Sequence, residues 1–227
     1  TLARHDVVVH LAALSGYQAC EADPGQAVAV NVHGTRAIIA ALDPAQLLVY
    51  ASTTSIYGPQ TLYARTKQEG ERLVMQRPNS VAIRWATLFG VSARMRHELL
   101  PNAFTRQAVQ RGHIDLYSPD QRRTFMHVAD AASAYVLAME RADEMMGQVW
   151  DVGDRGLTCS KRQLVERIAE QVPGTTYAVM EQPDADERDL DVDFSKAAAI
   201  GFNYRSNWQE RLPELVRLYE FWKEEAA

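Results

Sequence analysis

Short apolar runs alternate with amphipathic stretches through the first part of the chain. "DVVVHLAAL" (Asp6–Leu14), "LLVYAS" (Leu47–Ser52) and "VAIRWATLFG" (Val81–Gly90) are nearly continuous in apolar residues and rich in β-branched ones. Runs of that kind suit strands covered on both faces, as in a parallel sheet. Between them, "PGQAVAVNVHGTRAIIAAL" (Pro24–Leu42) and "YARTKQEGERLVMQ" (Tyr63–Gln76) place apolar residues at helical spacing, and the second keeps a charged face wet. Strand, helix, strand, helix, strand at this pitch predicts right-handed βαβ units and a parallel sheet.

The pattern changes after Gly90. A helix is predicted over Leu99–Gln110 and a short strand over His113–Ser118. Arg122–Arg141 reads as a strand running into a helix, and Gly147–Gly153 as a strand. Thr158–Val172 reads as a helix that Thr158 or Ser160 could cap. Pro183–Asp193 is polar and loop-like, and Trp208–Trp222 is an amphipathic helix interrupted early by Pro213. No internal repeat or low-complexity linker separates these segments.

Composition narrows the classes. The chain has 227 residues, 47% of them apolar, enough for one sizeable core with a small lobe. The 24 basic and 29 acidic residues give a net charge of -5, so nothing draws the whole chain to nucleic acid or to an acidic membrane. No apolar run nears the ~20 residues that cross a bilayer, and Thr1–Asp6 does not resemble a signal peptide. Cys20 and Cys159 stand in no metal or redox spacing and read as idle thiols in a reducing compartment. The six histidines show no ligand spacing, so no metal is expected. His10 and His127 lie within strand-like runs and read as satisfied core histidines.

Seven segments in order resemble extended short-chain dehydrogenases of the nucleotide-sugar epimerase/dehydratase type. "DVVVHLAA" resembles the family's fourth strand with its Ala-Ala turn, and "NVHGT" (Asn31–Thr35) its Asn-x-x-Gly-Thr helix. "YASTTSIYG" resembles the strand that ends in the catalytic Ser or Thr, and "YARTK" matches Tyr-x-x-x-Lys. "RWATLFG", "RRTFMHVAD" and "DVGD" match three further segments. Tyr-x-x-x-Lys alone is weak; the register of all seven carries the resemblance. It implies a Rossmann-like, doubly wound parallel α/β sheet with a small C-terminal substrate lobe. Residues 1–90 would form the dinucleotide-binding part, with 120–153 returning to it, and 91–119 and 154–227 the lobe.

Two features depart from the family. The chain holds no Gly-x-x-Gly-x-x-Gly turn, the element that seats the dinucleotide pyrophosphate on a helix N-terminus. The expectation is that the N-terminal strands and that turn belong to a longer parent protein. The family also spends a longer loop between its Tyr-Gly and its catalytic Tyr, where this chain has only Gly58–Leu62. Absent loop residues are expected there, visible as a break near Gly58–Thr61 with Cα atoms farther apart than ~3.8 Å.

A Tyr and a Lys four residues apart share one helix face. A nearby ammonium favours phenolate over phenol and draws the Tyr pKa down from ~10. Tyr63 is therefore the candidate general base for a sugar hydroxyl, and the acid in reverse. The resemblance gives Lys67 a second task, holding the nicotinamide ribose of NAD, with NADP as the alternative. It makes Thr53 the partner hydroxyl on the substrate oxygen. It also places Leu11, Ala12, Ala13, Asn31, Ser52 and Ala86 along the cofactor, with Asn31 and Ser52 as polar supports of the floor. Sugar dehydratases of the family carry Asp-Glu directly after the catalytic Thr; here Thr54 and Ser55 stand there, which disfavours loss of water.

The implied substrate is a nucleotide-diphosphate sugar. Arg123 and Arg188 match the family's diphosphate-binding arginines, suited by a planar fork that grips two oxygens. Tyr117 aligns with an aromatic beside the base, or is a core Tyr. Thr87 stands where related epimerases carry an Asn, and Asn102 is a further substrate candidate. The implied activity is C4 epimerisation through a transient 4-keto sugar. The alternatives are a 4-ketosugar reductase and a non-catalytic nucleotide-sugar binder. The resemblance also implies a cytoplasmic homodimer formed through the helices near 24–42 and 63–76.

Overall fold

The computed structural model describes residues 2–182 and 188–225. Residues 183–187, part of the expected polar loop, lie outside the described residues. The chain forms two compact units. The first comprises Thr1–Trp85, Ala134–Val152 and Asp193–Phe202; the second comprises Ala86–Ser133, Gly153–Val192 and Asn203–Ala227. Ala86–Gly90 and the strand Arg122–His127, assigned from sequence to the first, belong to the second. The stretch from Asp193 to Phe202 returns to the first.

The first unit is built on a four-stranded parallel sheet in the order β1-β2-β3-β7. Its strands are β1 (Val7–His10), β2 (Leu47–Thr53), β3 (Ser80–Trp85) and β7 (Gln148–Val152). β2 and β3 are the apolar runs, and nearly every residue in both is buried. β1 is an edge strand, and three of its four residues are only half-buried, not covered as expected. Leu42, Leu48, Tyr50, Val74 and Ala82 form a core cluster under the helices.

Helices α1 (Tyr17–Ala22), α2 (Pro24–Val28) and α3 (Thr35–Ala41) follow β1. A π-helical segment, Ala29–Gly34, joins α2 to α3, so the expected single helix runs through a wider turn at Asn31. Helix α4 (Leu62–Val74) carries Tyr63 and Lys67. Thr61 caps it, its hydroxyl accepting from Ala64 N at 3.2 Å.

The connection before α4 is unbroken, against expectation. A 3-10 turn, Thr54–Tyr57, follows β2, and Gly58 N donates to Ser55 O at 3.2 Å. Thr61 N then donates to Pro59 O at 2.8 Å. One tight turn and one proline bend close the short span.

The run Val81–Gly90 is two strands rather than one. It breaks at Ala86, and Thr87–Phe89 becomes β4 in a separate sheet of order β4-β6-β8. There β6 (Arg122–His127) pairs parallel with β4 and antiparallel with β8 (Asp154–Ser160). β8 was not foreseen, because "DRGLTCS" lacks the apolar density of the other strands. A two-stranded sheet pairs β5 (His113–Leu116) with β9 (Thr176–Val179). All four β9 residues are exposed, which is why no apolar pattern marked it.

Helices α5 (Leu100–Arg111), α8 (Lys161–Gln171) and α10 (Trp208–Glu225) surround a core that includes Phe89, Phe125, Ile114, Leu164, Trp208 and Leu215. Ser160 caps α8 with a complete capping box through Gln163. Helix α10 runs through Pro213 without interruption. Proline there forfeits one bond to the carbonyl of Gln209, and Gln209 is exposed, so water can take that carbonyl. Helices α6 (Val128–Glu140), α7 (Ala142–Met145) and α9 (Ser195–Ala199) complete the fold. Among the described residues no helix is long and apolar enough to cross a membrane.

Candidate functional site

The C-terminal edge of the first sheet gathers the polar residues of the first unit. In the sheet register Thr53 lies beside Trp85, and Ser52 beside Arg84, which lies beside Asp151. Alternation along β2 sends Tyr50 and Ser52 to the face that α4 covers, and Thr53 to the other.

Lys67 is 3% exposed, and its Nζ sits 4.1 Å from the centroid of the Tyr50 ring. Burial lowers its pKa to about 7, against the pull of Glu71 and Cys20, which favour the charged form. Tyr63, one turn earlier, is half-buried at the start of α4. Helix geometry therefore delivers the pair as expected, an accessible phenol and an inward ammonium.

Thr53 is buried at the end of β2. Its Oγ1 accepts from Ser55 N at 3.1 Å and donates to Ser55 Oγ at 3.0 Å. The hydroxyl thus caps the 3-10 turn and keeps one lone pair that can accept from a substrate hydroxyl. Thr54 Oγ1 donates to Trp85 O at 3.1 Å, tying the same turn to β3.

Asn31 is buried and fully engaged. Its Nδ2 donates to Leu14 O and Thr66 Oγ1, each at 3.0 Å, and its Oδ1 accepts from Leu14 N at 2.8 Å. Thr66 in turn donates to Tyr63 O at 3.1 Å. The wide π turn aims this amide at both the loop after β1 and the Tyr63 helix. Asn31 is therefore a strut of the floor; both amide protons are spent within the fold, and Oδ1 keeps one lone pair. In that loop Leu11 and Ala12 are exposed and Ala13 is half-buried, so a ligand can reach them.

His10, at the end of β1, is buried beneath the pair, with Nε2 2.9 Å from Thr35 Oγ1. Thr35 donates its own proton to Asn31 O at 2.7 Å, so His10 must donate from Nε2. It is the satisfied core histidine expected. Burial, with Lys67 nearby, lowers its pKa to about 4. A depressed histidine binds a proton more readily unfolded than folded. Its contribution is complete above the unfolded value of about 6.5 and is lost as pH falls towards 4. We expect unfolding measurements between those limits to show wild type losing up to about 1.4 kcal/mol per pH unit more than His10→Gln. Equal slopes would contradict the assignment.

The sequence reading missed a charge network beside the pair, buried at Glu71 and open to water at Tyr57. Ser52 Oγ donates to Glu71 Oε2 at 2.6 Å, so Ser52 faces α4 rather than a cofactor. Arg84 grips the same carboxylate with two bonds, Nε to Oε2 at 2.9 Å and Nη2 to Oε1 at 2.6 Å. Its Nη1 donates to Tyr57 Oη at 2.6 Å, and Tyr57 donates to Asp151. Burial raises the Asp151 pKa, with Tyr57 and Arg84 opposing. The signals were present: Glu71 stands four residues after Lys67, and Arg84 is a lone charge in an apolar strand.

In the second unit, Thr87 is half-buried in β4 and Ala86, just before it, is buried. Asn102 is 2% exposed; Nδ2 donates to Arg96 O at 2.8 Å and Oδ1 accepts from Gly90 N at 3.3 Å. That corrects its assignment to substrate: it braces the loop after β4. Arg123 is buried in β6 and donates from Nη1 to Arg122 O at 2.9 Å. It lies inside this unit instead of presenting a surface fork. Tyr117 is half-buried just past β5, and Arg188 is half-buried.

A parallel sheet whose second strand ends in a hydroxyl pair, followed by a helix bearing Tyr-x-x-x-Lys, defines an extended short-chain dehydrogenase scaffold. A family model described as "NAD dependent epimerase/dehydratase family" matches residues 1–153, and the chain belongs to that family. Its members are enzymes. The chain is similar to a UDP-N-acetyl-alpha-D-glucosaminuronate decarboxylase of Bacillus cytotoxicus, 25% identical over 244 aligned positions, covering 96% of this chain and 70% of the relative. Among solved structures it resembles UDP-glucuronic acid 4-epimerase from Bacillus cereus in complex with UDP-glucuronic acid and NAD, with a TM-score of 0.85 and 20% identity. That match covers 96% of this chain and 76% of the other. It also resembles RMD from Pseudomonas aeruginosa complexed with NADPH, with a TM-score of 0.83, 21% identity, and coverage of 95% and 82%.

Proposed function

We propose that this chain is the catalytic part of a nucleotide-diphosphate sugar 4-epimerase, working through a 4-keto sugar. The observation that carries the reading is the Tyr63–Lys67 pair, a half-buried phenol one helical turn from a buried ammonium. Tyr63 takes the proton from the C4 hydroxyl and later returns it. Lys67 would hold the ribose of the cofactor. Thr53 orients the sugar oxygen. NAD, when bound, supplies the oxidation and reduction at C4. The exposed Leu11–Ala12 loop and the Lys67 ammonium fit the nicotinamide end. Thr54 and Ser55 lack the acid and base that loss of water needs.

A second reading, decarboxylation of a uronic acid, draws support from the Bacillus cytotoxicus relative. A 4-keto uronate is a β-keto acid and can lose carbon dioxide at the same site. We expect incubation with NAD and a panel of UDP-, dTDP-, GDP- and CDP-hexoses and UDP-uronates to give C4 inversion without net NADH. Release of carbon dioxide would favour the second reading. Net oxidation of NADH or NADPH on a 4-keto sugar, with no inversion, would favour a reductase. We place the enzyme in the cytoplasm, as a homodimer through the helices near 24–42 and 63–76.

A further inference from the structure

We propose that Tyr50 is a positioning residue for Lys67, its ring forming the seat that holds the ammonium charged and at fixed height. The proposal rests on the reading of Tyr63 and Lys67 as the reacting pair. Tyr50 is fully buried in β2, and the Lys67 ammonium lies 4.1 Å from its ring centroid. Its hydroxyl donates to the carbonyl of Lys67 itself at 3.4 Å. One aromatic residue therefore meets both ends of the lysine, backbone and ammonium.

The close approach is built into the sequence. Gly70 follows Lys67 by three residues, and a Cβ there would overlap the Tyr50 hydroxyl and lie 3.2 Å from Asn31 O. A larger residue would lift α4 off the ring. Behind Tyr50, the His10 ring lies 5.5 Å away.

The ring face attracts a cation and gives a neutral amine nothing comparable, the more so where water is excluded. The other titratable groups facing Lys67 are Tyr63 and Glu71 on its own helix, Cys20 on α1 and His10 on β1. Arg84 and Ser52 already hold the Glu71 carboxylate. The Tyr50 ring is in direct contact with the ammonium.

The test is NMR on the protein labelled with 13C-lysine, with Lys67→Met for assignment, alongside turnover. The ε-methylene protons of Lys67 should be displaced upfield by the ring. Tyr50→Phe, which keeps the ring, should leave that displacement and the Lys67 midpoint in place. Tyr50→Leu should abolish the displacement, lower the midpoint by about one pH unit, and reduce turnover most at the alkaline end of the profile. Tyr50→pentafluorophenylalanine, which keeps the shape but inverts the ring's charge distribution, should lower the midpoint as well and covers the case in which Tyr50→Leu fails to fold. Undisplaced wild-type protons, or a midpoint unmoved by either ring-altering variant, would overturn the proposal. Displacement and midpoint as expected with unchanged turnover would overturn the catalytic reading of Lys67 and leave the seat standing.

Discussion

Tyr63→Phe is expected to lower turnover of the nucleotide sugar by about 10²–10⁴-fold, the usual range for removing a positioned acid–base group. The phenyl ring keeps its place at the start of α4, and only the proton-transferring oxygen is lost. Thermal stability should stay within about 0.5 kcal/mol of wild type, as for a change that touches no core contact. Steady-state rates on the active substrate, with thermal unfolding in parallel, check both halves. On the proposed roles, with the phenol in the proton transfer and Lys67 on the cofactor ribose, cofactor affinity should remain near wild type. Turnover at the wild-type rate would remove Tyr63 from the reaction and with it the reading of this site.

The second large effect centres on Glu71, about two turns further along the same helix, and on its partner Arg84 in β3. Arg84→Met strands the Glu71 carboxylate, which the pair now keeps almost out of water. Removing one partner of a buried ion pair costs about 3–5 kcal/mol, because the remaining charge has lost both water and counter-ion. At about 2–4 °C per kcal/mol for chains of this size, the thermal midpoint should drop by roughly 10 °C. Glu71→Leu with Arg84→Met removes both charges and should recover most of the loss. A drop below about 1 kcal/mol for Arg84→Met alone would show that water reaches the carboxylate.

The sequence showed most clearly what periodicity and spacing encode. β2, β3, α4 and α8 follow from apolar density and caps, and the Tyr63–Lys67 face follows from the helical repeat. Less legible was whatever depends on a partner far along the chain. β9 is exposed throughout and exists because β5 pairs with it, so no local pattern marks it. The break at Ala86 separates two strands that read as one apolar run, since both halves are equally suited to a sheet. Ser52, Asn31 and Asn102 matched family positions, but their burial and hydrogen bonds give them structural work. A resemblance fixes where a residue stands in the chain, not which way its side chain is committed. Glu71, Arg84, Tyr57 and Asp151 come from four separate segments; the sheet register sets Arg84 beside Asp151, and α4 and the 3-10 turn bring Glu71 and Tyr57 to them.

The π turn at Ala29–Gly34 makes this helical stretch sensitive to length in a way that substitution does not reveal. Each residue of an α-helix advances the chain by about 100°. Deleting one residue there would let the stretch relax into regular α-helix, with the turns on either side still in phase but without the wide turn that aims Asn31. Asn31 would leave Leu14 and Thr66. Natural variants of this chain should therefore exchange side chains freely on the wet face of the segment yet hold its residue count fixed.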